Sequence, residues 1–457
     1  MVSSKTQHKS KRQQKLEQKQ SLSKSFIHST QTPFRVAERN FKSRLPPPNF
    51  DNVIDFYNID GSNDEIKSKV VKIELKIELG EDDAEKENMF GDCNELKGEK
   101  EFVKGERRIA YIVKDLPGFI FIPNPFTPKA QKNIIKRCLR DFARYPNKSN
   151  LDTHYVLPKE GLWNLHERII NGELNGSNSR CVIPLKAFVT ERESFYEKES
   201  DIKQEITQKE CPQELLIEKD YREKEEKEEK AEPLPSSGVP ILSPSQLIKK
   251  LRWITLGYQY HWPTKTYHLD KRLPFPRDIE SLTTSVVKSI NGIKFCTKET
   301  NEDNEKQYFV NDYDHEKWKP EAGVVNYYQL KDNIMAHVDK SEINMEAPLI
   351  SFSFGHTCIF LIGGPTREIA PIALYLRSGD ISIMCGPCRT NFHGVPRILE
   401  GTLPKYLEPN YGDDPEWKIY GDFMSSSRIN VNVRQQIYLK DFPIYMIYLL
   451  TRFCDKV

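Results

Sequence analysis

Long hydrophobic runs are absent from this sequence. Across its 457 residues, no apolar stretch approaches the roughly 20 residues that a membrane-spanning helix requires. Clusters such as IYMIYLL near the C-terminus are far shorter. The N-terminal residues also contain no apolar segment of the kind found in a secretory signal peptide. We therefore expect no membrane partner.

Paired cysteines are also lacking. The nine cysteines are odd in number and scattered, which is not typical of a secreted disulfide framework and favours a reducing compartment. Cys385 and Cys388 form a CGPC motif, but Gly394 and Pro396 follow closely, and a redox CxxC needs a helix after its first cysteine. A second CxxC and any HxxxH are missing, so a structural zinc site has too few ligands. We interpret both thiols as partly buried residues at the end of a strand.

Apolar residues are scarce for a compact globule, at 37% against 29% charged residues. Residues 1–44 contain 11 Lys or Arg and two Glu, which predicts a disordered basic tail. Residues 191–232 contain 16 acids and nine bases, which predicts a solvated insertion. We therefore divide the chain into the basic tail 1–44, an extension of helices and strands at 45–190 packed on the core, a disordered acidic insertion at 191–240, a strand-rich domain at 241–440 with its core at 320–440, and a C-terminal tail at 441–457.

Short strand-like runs dominate the second half of the chain. AGVVNYY, LISFSFG, CIFLIGG, ALYLRSGDISIM and RINVNVRQQIYL are separated by turns rich in Gly, Pro, Asp and Asn. This spacing predicts a β-sandwich or barrel, and no alternation of strands with helices suggests a doubly wound sheet. Upstream, LPGFIFIPNPFTP predicts a buried strand, and apolar spacing over 129–144 predicts a docked helix with a basic outer face. The predicted fold class is mainly β with flanking helices (α+β).

A candidate metal site lies in the strand-rich region. His337 and Asp339 in AHVDKSE are two residues apart, so on an extended segment both side chains point to the same side. His393, which follows a predicted strand, could add a third ligand. Two histidines and one carboxylate on one face of a metal form the facial triad of non-haem Fe(II) oxygenases. An HxD pair alone is a weak signal.

A candidate anion clamp lies in SSSRINVNVRQQ. Period-2 alternation places Arg428, Asn430 and Arg434 on one face of a strand and apolar residues on the other. Buried guanidinium groups require anionic partners, and a dicarboxylic 2-oxo acid would fit, since arginine binds carboxylates bidentately. Asn326 and Tyr328 alternate onto one face in the same way and can donate hydrogen bonds. The alternative is that these groups pair with acids of the protein, which is most plausible for Arg434.

The order of these motifs carries a family resemblance. NYY, HVD, SFSFG, SGDI, a His followed by VPR, and RINVNVR resemble the AlkB family of Fe(II)/2-oxoglutarate dioxygenases, most closely its eukaryotic AlkB homologue 1 branch. The resemblance covers roughly 46–58 and 115–440, and it implies a double-stranded β-helix (jelly-roll) core. It further implies Fe(II) ligands at His337, Asp339 and His393, 2-oxoglutarate contacts at Asn326, Tyr328, Arg428, Asn430 and Arg434, and substrate contacts at Trp163, Tyr258 and Tyr260. Ordinary core packing is an equal alternative for the three aromatic residues.

The resemblance also implies a reaction. With Fe(II), 2-oxoglutarate and O2, the enzyme would oxidatively demethylate N-methylated nucleobases in tRNA or DNA and release formaldehyde, succinate and CO2. Oxidation of 5-methylcytosine in tRNA and demethylation of a histone are alternatives, and a catalytically silent jelly-roll binding module is an alternative of another class. We expect a monomer located in the nucleus, because the N-terminal segment is basic, with the mitochondrion or cytoplasm as alternatives.

Overall fold

The structure of the protein, a computed structural model, describes residues 31–76, 107–174, 183, 239–261, 265–299, 306–412 and 414–437. The helices are α1 (Pro33–Lys42), α2 (Asp64–Lys69), α3 (Pro128–Lys136), α4 (Leu162–Ile170), α5 (Pro244–Leu247), α6 (Arg277–Ser289) and α7 (Trp417–Met424). The strands are β1 (Val70–Lys76), β2 (Arg107–Val113), β3 (Phe119–Ile122), β4 (Trp253–His261), β5 (Thr266–Arg272), β6 (Lys294–Glu299), β7 (Lys306–Val310), β8 (Ala322–Gln329), β9 (Ile334–His337), β10 (Leu349–Gly355), β11 (Cys358–Ile362), β12 (Ile372–Leu376), β13 (Ile381–Met384), β14 (His393–Ile398) and β15 (Ser427–Arg434).

Two antiparallel sheets form the body of the protein. The larger has nine strands in the order β1-β2-β3-β13-β10-β15-β8-β4-β5, and the smaller has four in the order β12-β11-β14-β9. A separate hairpin is formed by β6 and β7. The mainly β class with flanking helices is confirmed, and so are the strands predicted between β8 and β15.

Alternation along the strands divides the described core into layers. On β15, Ile429, Val431 and Val433 are fully buried against the helices that cover the outer face of the nine-stranded sheet. The inner face of that sheet packs against the four-stranded sheet through residues such as Phe121 and Phe360. Side chains on the inner face of β15 therefore point into the space between the two sheets.

The predicted disorder of the whole basic tail is wrong for its last part. Residues 33–42 form α1, which begins after the N-cap Thr32 and buries Phe34 and Phe41. These two phenylalanines pack on Ile359 and Leu361, on the outer face of the four-stranded sheet. The high average charge of the segment concealed an amphipathic helix, because its basic residues lie on the opposite side. Residues 1–30 lie outside the described part of the chain.

The predicted extension at 45–190 contributes strands to the main sheet instead of only packing on it. β3 pairs with β13, from Ile381↔Ile122 to Met384↔Phe119, and all four β3 residues are buried, as predicted for LPGFIFIP. The docked helix predicted over 129–144 is confirmed as α3 with a following π-helical turn. Residues 191–238 of the predicted insertion 191–240 and the whole predicted tail 441–457 lie outside the described residues. Within the described parts, no helix combines the length and the hydropathy needed to cross a bilayer.

A candidate metal centre and anion pocket

The three predicted metal ligands converge at one end of the four-stranded sheet. His337 ends β9 and His393 begins β14, and the two residues are direct partners in the strand pairing. Asp339 follows β9 and approaches both imidazoles, with its carboxylate oxygens 3.9 Å from His337 Nε2 and 3.6 Å from His393 Nε2. One ligand atom from each residue lies within 4.8 Å of the others. Two imidazoles and one carboxylate in this arrangement fit a facial Fe(II) site.

Backbone carbonyls fix which histidine nitrogens face Asp339. His337 Nδ1 lies 2.9 Å from Met335 O, and His393 Nδ1 lies 3.1 Å from Asn391 O. A carbonyl oxygen only accepts, so each Nδ1 donates its hydrogen and each Nε2 keeps a free lone pair. This arrangement orients imidazole ligands in metal sites. Burial and the neighbouring His393 lower the pKa of His337, which favours the neutral imidazole that a metal requires.

Arg434 governs the charge of Asp339. Burial opposes ionisation of this carboxyl, but the Arg434 guanidinium and the two imidazoles outweigh that effect and hold its pKa well below its usual range. Arg434 Nη1 lies 3.4 Å from Asp339 Oδ1 and 2.6 Å from Glu342 Oε1. Arg434 therefore pairs with acids of the protein, which was the alternative considered for it, and it reaches the metal centre through Asp339.

Arg428 is a buried cation at the other end of the pocket. Only 1% of its surface is exposed, and it donates to His356 O at 2.7 Å, Leu376 O at 3.2 Å and Ser353 Oγ at 2.6 Å. None of these acceptors carries a charge, and among the described residues Arg428 forms no ion pair. An uncompensated buried guanidinium is costly, so its environment fits an anionic ligand.

The strand pairing places the other predicted anion-binding residues beside Arg428. Arg428 pairs with Tyr328 across β15 and β8, and Asn430 pairs with Asn326. Asn430 Nδ2 donates to Ser351 Oγ at 2.7 Å and to Phe352 O at 3.0 Å, so its orientation is fixed. Burial raises the pKa of Tyr328, so its hydroxyl stays protonated and can donate a hydrogen bond to an anion.

One cavity connects the two ends. Its lining includes His337, His393, Asn326, Tyr328, Asn430 and Arg428, and its empty volume is about 540 Å³, counting the space at its mouth that is open to solvent. His337 is the most accessible of the three proposed ligands, with 36% of its side chain exposed. A dicarboxylate could therefore reach from the triad to Arg428 within this one cavity.

The predicted substrate-side aromatic residues separate into two groups. Trp163 is 1% exposed on α4 and packs on Tyr420 with ring centroids 4.6 Å apart, so it belongs to the helical core and cannot stack on a substrate base. The prediction for Trp163 is wrong, because an aromatic side chain can equally well pack in the core, and Trp163 does so. Tyr260 lies near the metal loop, the segment 338–348 that carries Asp339, with its hydroxyl 3.3 Å from Ser341 Oγ. Tyr258 is 6% exposed and packs beneath Arg272 on the same β4–β5 hairpin.

The CGPC turn is structural within the described fold. Residues 386–390 form a single 3-10 turn, and both cysteines are fully buried, which raises their pKa values. Gly118 packs so closely here that a Cβ would lie 2.0 Å from Cys385 O, and its φ of +94° also favours glycine. Arg389, the residue after this motif, forms an ion pair with Glu342. The sequence did not predict this pair, because neither spacing nor composition indicates that two residues so far apart in the chain will meet.

Comparison with known proteins agrees with this geometry. The model of the 2OG-Fe(II) oxygenase superfamily matches residues 202–434. The "Nucleic acid dioxygenase ALKBH1" of Mus musculus is 30% identical over 353 residues, which cover 73% of this chain and 68% of the mouse protein. The "DNA N(6)-methyladenine demethylase ALKBH1A" of Arabidopsis thaliana is 29% identical over 71% of this chain and 77% of that protein. The "tRNA demethylase abh1" of Schizosaccharomyces pombe is 40% identical over 41% of this chain and 53% of that protein. The chain therefore belongs to the AlkB family of Fe(II)- and 2-oxoglutarate-dependent dioxygenases, within the ALKBH1 branch.

Proposed function

We propose that this protein oxidatively demethylates N-methylated nucleobases in tRNA or DNA. As a member of its family it is an oxidoreductase that uses Fe(II), 2-oxoglutarate and O2. The observation that carries the proposal is a single cavity with a His-Asp-His cluster at one end and, at the other, a buried guanidinium that has no carboxylate partner among the described residues. The fold that would place the two ends in this way is the double-stranded β-helix, or jelly roll, formed by the two facing sheets.

Each end of the cavity has its own role in this proposal. His337, Asp339 and His393 hold Fe(II), which supplies the oxidising chemistry once O2 and the cosubstrate are present. Arg428 binds the distal carboxylate of 2-oxoglutarate, with Tyr328 donating a hydrogen bond. Asn326 and Asn430 support the same end, and Arg434 holds Asp339 ionised at the metal. Binding the dicarboxylate would compensate the buried charge of Arg428.

A nucleobase substrate is supported by the names of the relatives and by the location of Tyr260. The mouse, Arabidopsis and fission yeast proteins are named for activity on nucleic acid, DNA methyladenine and tRNA. Tyr260 lies beside the loop that carries Asp339, where an aromatic ring could stack on a base turned out of its helix or loop. Removing a methyl from a base nitrogen consumes O2 and 2-oxoglutarate and yields formaldehyde, succinate and CO2.

The outer face of α3 gives less support for phosphate binding than its sequence suggested. Lys136 pairs with Glu416 at 2.7 Å, and Arg137, at the start of the following turn, pairs with Asp278 at 2.9 Å. These cations are thus already compensated by acids of α6 and of the segment before α7. We do not assign this helix a nucleic-acid role. A monomer in the nucleus, or in the mitochondrion or cytoplasm, remains part of the proposal.

The deciding experiment measures succinate formation with a panel of methylated tRNA, single-stranded DNA and duplex DNA. We expect one nucleic acid class to stimulate turnover and to lose its methyl group with release of formaldehyde. The variant His393→Ala, which removes one proposed ligand, should abolish both signals. If no nucleic acid stimulates the wild-type protein, a methylated histone becomes the substrate to test.

A catalytically silent binding module is the competing function of another class. Such a module would have no need to keep two imidazole Nε2 atoms and an ionised carboxylate facing one another. Anaerobic addition of Fe(II) and 2-oxoglutarate should produce a visible charge-transfer band that is missing in His337→Ala. If the wild-type protein gives no band, the binding module is the better description.

A further inference from the structure

Arg389 contacts the metal loop near both of its ends. The segment 338–348, between β9 and β10, carries Asp339 and contains no helix or strand. Arg389 lies beneath it with 1% of its surface exposed. Its guanidinium donates to Asp339 O at 3.2 Å near the start of the segment and to Ala347 O at 3.0 Å near its end. One buried side chain therefore contacts both ends of the segment.

Glu342 connects this anchor to the second arginine of the R-x-N-x-x-x-R motif. Its side chain is fully buried and lies between two guanidinium groups, with Oε2 3.3 Å from Arg389 Nη2 and Oε1 2.6 Å from Arg434 Nη1. Arg434 also approaches Asp339, but more distantly, at 3.4 Å. The order of the four groups is thus Arg389, Glu342, Arg434 and Asp339.

The charges of this row are balanced before any metal binds. Two guanidinium groups and two carboxylates give no net charge, and the shortest contact in the row joins Arg434 to Glu342. Arg434 keeps Asp339 ionised, but its shortest contact is with Glu342, so it does not form a closer ion pair with Asp339 that would compete with a metal ion. A neutral side chain at position 342 would leave Arg434 with Asp339 as its only carboxylate partner in the row.

We propose that Arg389 and Glu342 are positioning residues of the metal centre: Arg389 holds the backbone of Asp339, and Glu342 holds Arg434 back from a closer ion pair with the Asp339 carboxylate. This inference rests on the proposed Fe(II) ligands. Arg389 is part of the 3-10 turn Gly386–Thr390, which overlaps the CGPC motif, and it is buried together with Cys388. The turn at this motif therefore supplies a side chain that contacts the backbone of a proposed metal ligand.

Arg389→Lys tests the first part, since lysine keeps the charge but cannot reach three acceptors with one planar fork. Mn(II) serves as a non-turning-over probe, and its dissociation constant is measured on the full chain by calorimetry. We expect the constant to rise about 10-fold or more, as for other groups that orient metal ligands. Amide hydrogen exchange at residues 339–347 should become faster in the same variant.

Arg377→Lys is the matched control, because Arg377 also forms a short ion pair, 2.8 Å to Asp55, but outside the site. We expect this control to keep wild-type Mn(II) affinity. Glu342→Gln should weaken Mn(II) binding as well, by directing Arg434 onto Asp339. If Arg389→Lys fails to fold, Arg389→Gln, which removes the charge but keeps an amide donor, takes its place. A folded Arg389→Lys or Glu342→Gln protein with wild-type Mn(II) affinity would overturn the proposal for that residue.

The same titrations separate this inference from the proposed function. His337→Ala should abolish Mn(II) binding if the triad is the metal site. Wild-type protein that does not bind Mn(II), or His337→Ala protein that binds it normally, would refute the metal site itself. Binding that depends on His337 but is unaffected by Arg389→Lys and Glu342→Gln would refute only the positioning roles.

Discussion

At the scale of single residues, the site is organised by buried charged groups whose partners differ from one end of the pocket to the other. Arg428 is held by two carbonyls and a hydroxyl, and Asp339 shares its arginine with Glu342. In each case the buried charged group forms hydrogen bonds with the protein, which lowers the cost of burying it. Each group can still interact with a ligand. The chemistry of the pocket therefore depends on which charges the protein leaves uncompensated.

Removal of the Arg428 cation should weaken cosubstrate binding selectively. We expect Arg428→Met to raise the KM for 2-oxoglutarate roughly 10- to 100-fold, the equivalent of about 1.5–3 kcal/mol for a lost charged hydrogen bond. Mn(II) affinity should change far less, because the triad does not contact Arg428. Arg397→Met, which removes an arginine stacked over Phe50, is the control. An unchanged KM in a folded Arg428 variant would contradict this assignment.

Asp380 should make the stability of the protein depend on pH. It is fully buried, and burial raises its pKa to about 7 although Tyr57 Oη donates to it at 2.6 Å. Between about pH 4 and that value the folded state keeps a proton that the unfolded chain has released, so stability should fall as pH rises through this window. Urea unfolding of wild type and Asp380→Asn at several pH values measures the effect.

The substitution should flatten this part of the pH profile, since asparagine does not titrate. Asp422→Asn removes an exposed carboxylate and should leave the profile unchanged. Identical slopes for the wild type and Asp380→Asn would show that Asp380 is ionised in the folded protein throughout the range.

At the scale of elements, helix α1 stabilises the edge strand that carries His337. Ala336, the residue before this histidine, donates its N–H to Glu38 Oε1 at 2.5 Å, and its carbonyl accepts from Arg367 Nη2 at 2.8 Å. β9 is an edge strand of the four-stranded sheet, so these side chains satisfy backbone groups that a further strand would otherwise bind.

Glu38 lies outside the pocket, but loss of its carboxylate should still reduce the stability of the protein. We expect Glu38→Ala to reduce the free energy of unfolding by about 1–3 kcal/mol, because it leaves a buried N–H without an acceptor. Denaturant unfolding is the measurement, and Arg39→Ala, an exposed position on the same helix, is the control. Equal stabilities of the two variants would show that α1 does not support β9.

At the scale of the whole molecule, the catalytic core and its additions share one sheet. β1, β2 and β3 extend the nine-stranded sheet beyond β13, while β4 and β5 extend it on the other side. The triad lies on the smaller sheet and its following loop, whereas the anion-binding residues lie on the larger one. The distance between the two sheets thus sets the depth of the cavity.

The acidic insertion should be dispensable for folding. Ile183 N–H donates to Leu242 O at 3.1 Å, which brings the flanking chain together on either side of residues 191–232. Replacing these residues with a short Gly-Ser linker should leave Tm nearly unchanged, since loop-closure entropy changes by only about 0.6 kcal/mol per doubling of loop length. Thermal unfolding and succinate formation are measured together. A large fall in Tm would contradict the prediction, and lost activity at an unchanged Tm would indicate a role in substrate binding.

The sequence by itself determined the parts of this protein that depend on local spacing. The alternation in RINVNVR placed Arg428 and Asn430 on the face opposite Ile429, and the HxD pair placed His337 and Asp339 side by side, because strand geometry repeats every two residues. The fold class followed from the same periodicity. Only the tertiary structure decided the rest: that Trp163 is part of the core, that α1 interrupts the basic tail, and that Arg389 contacts Glu342 and both ends of the metal loop. Those outcomes depend on contacts between segments far apart in the chain, and no local pattern specifies which distant partner a side chain will have.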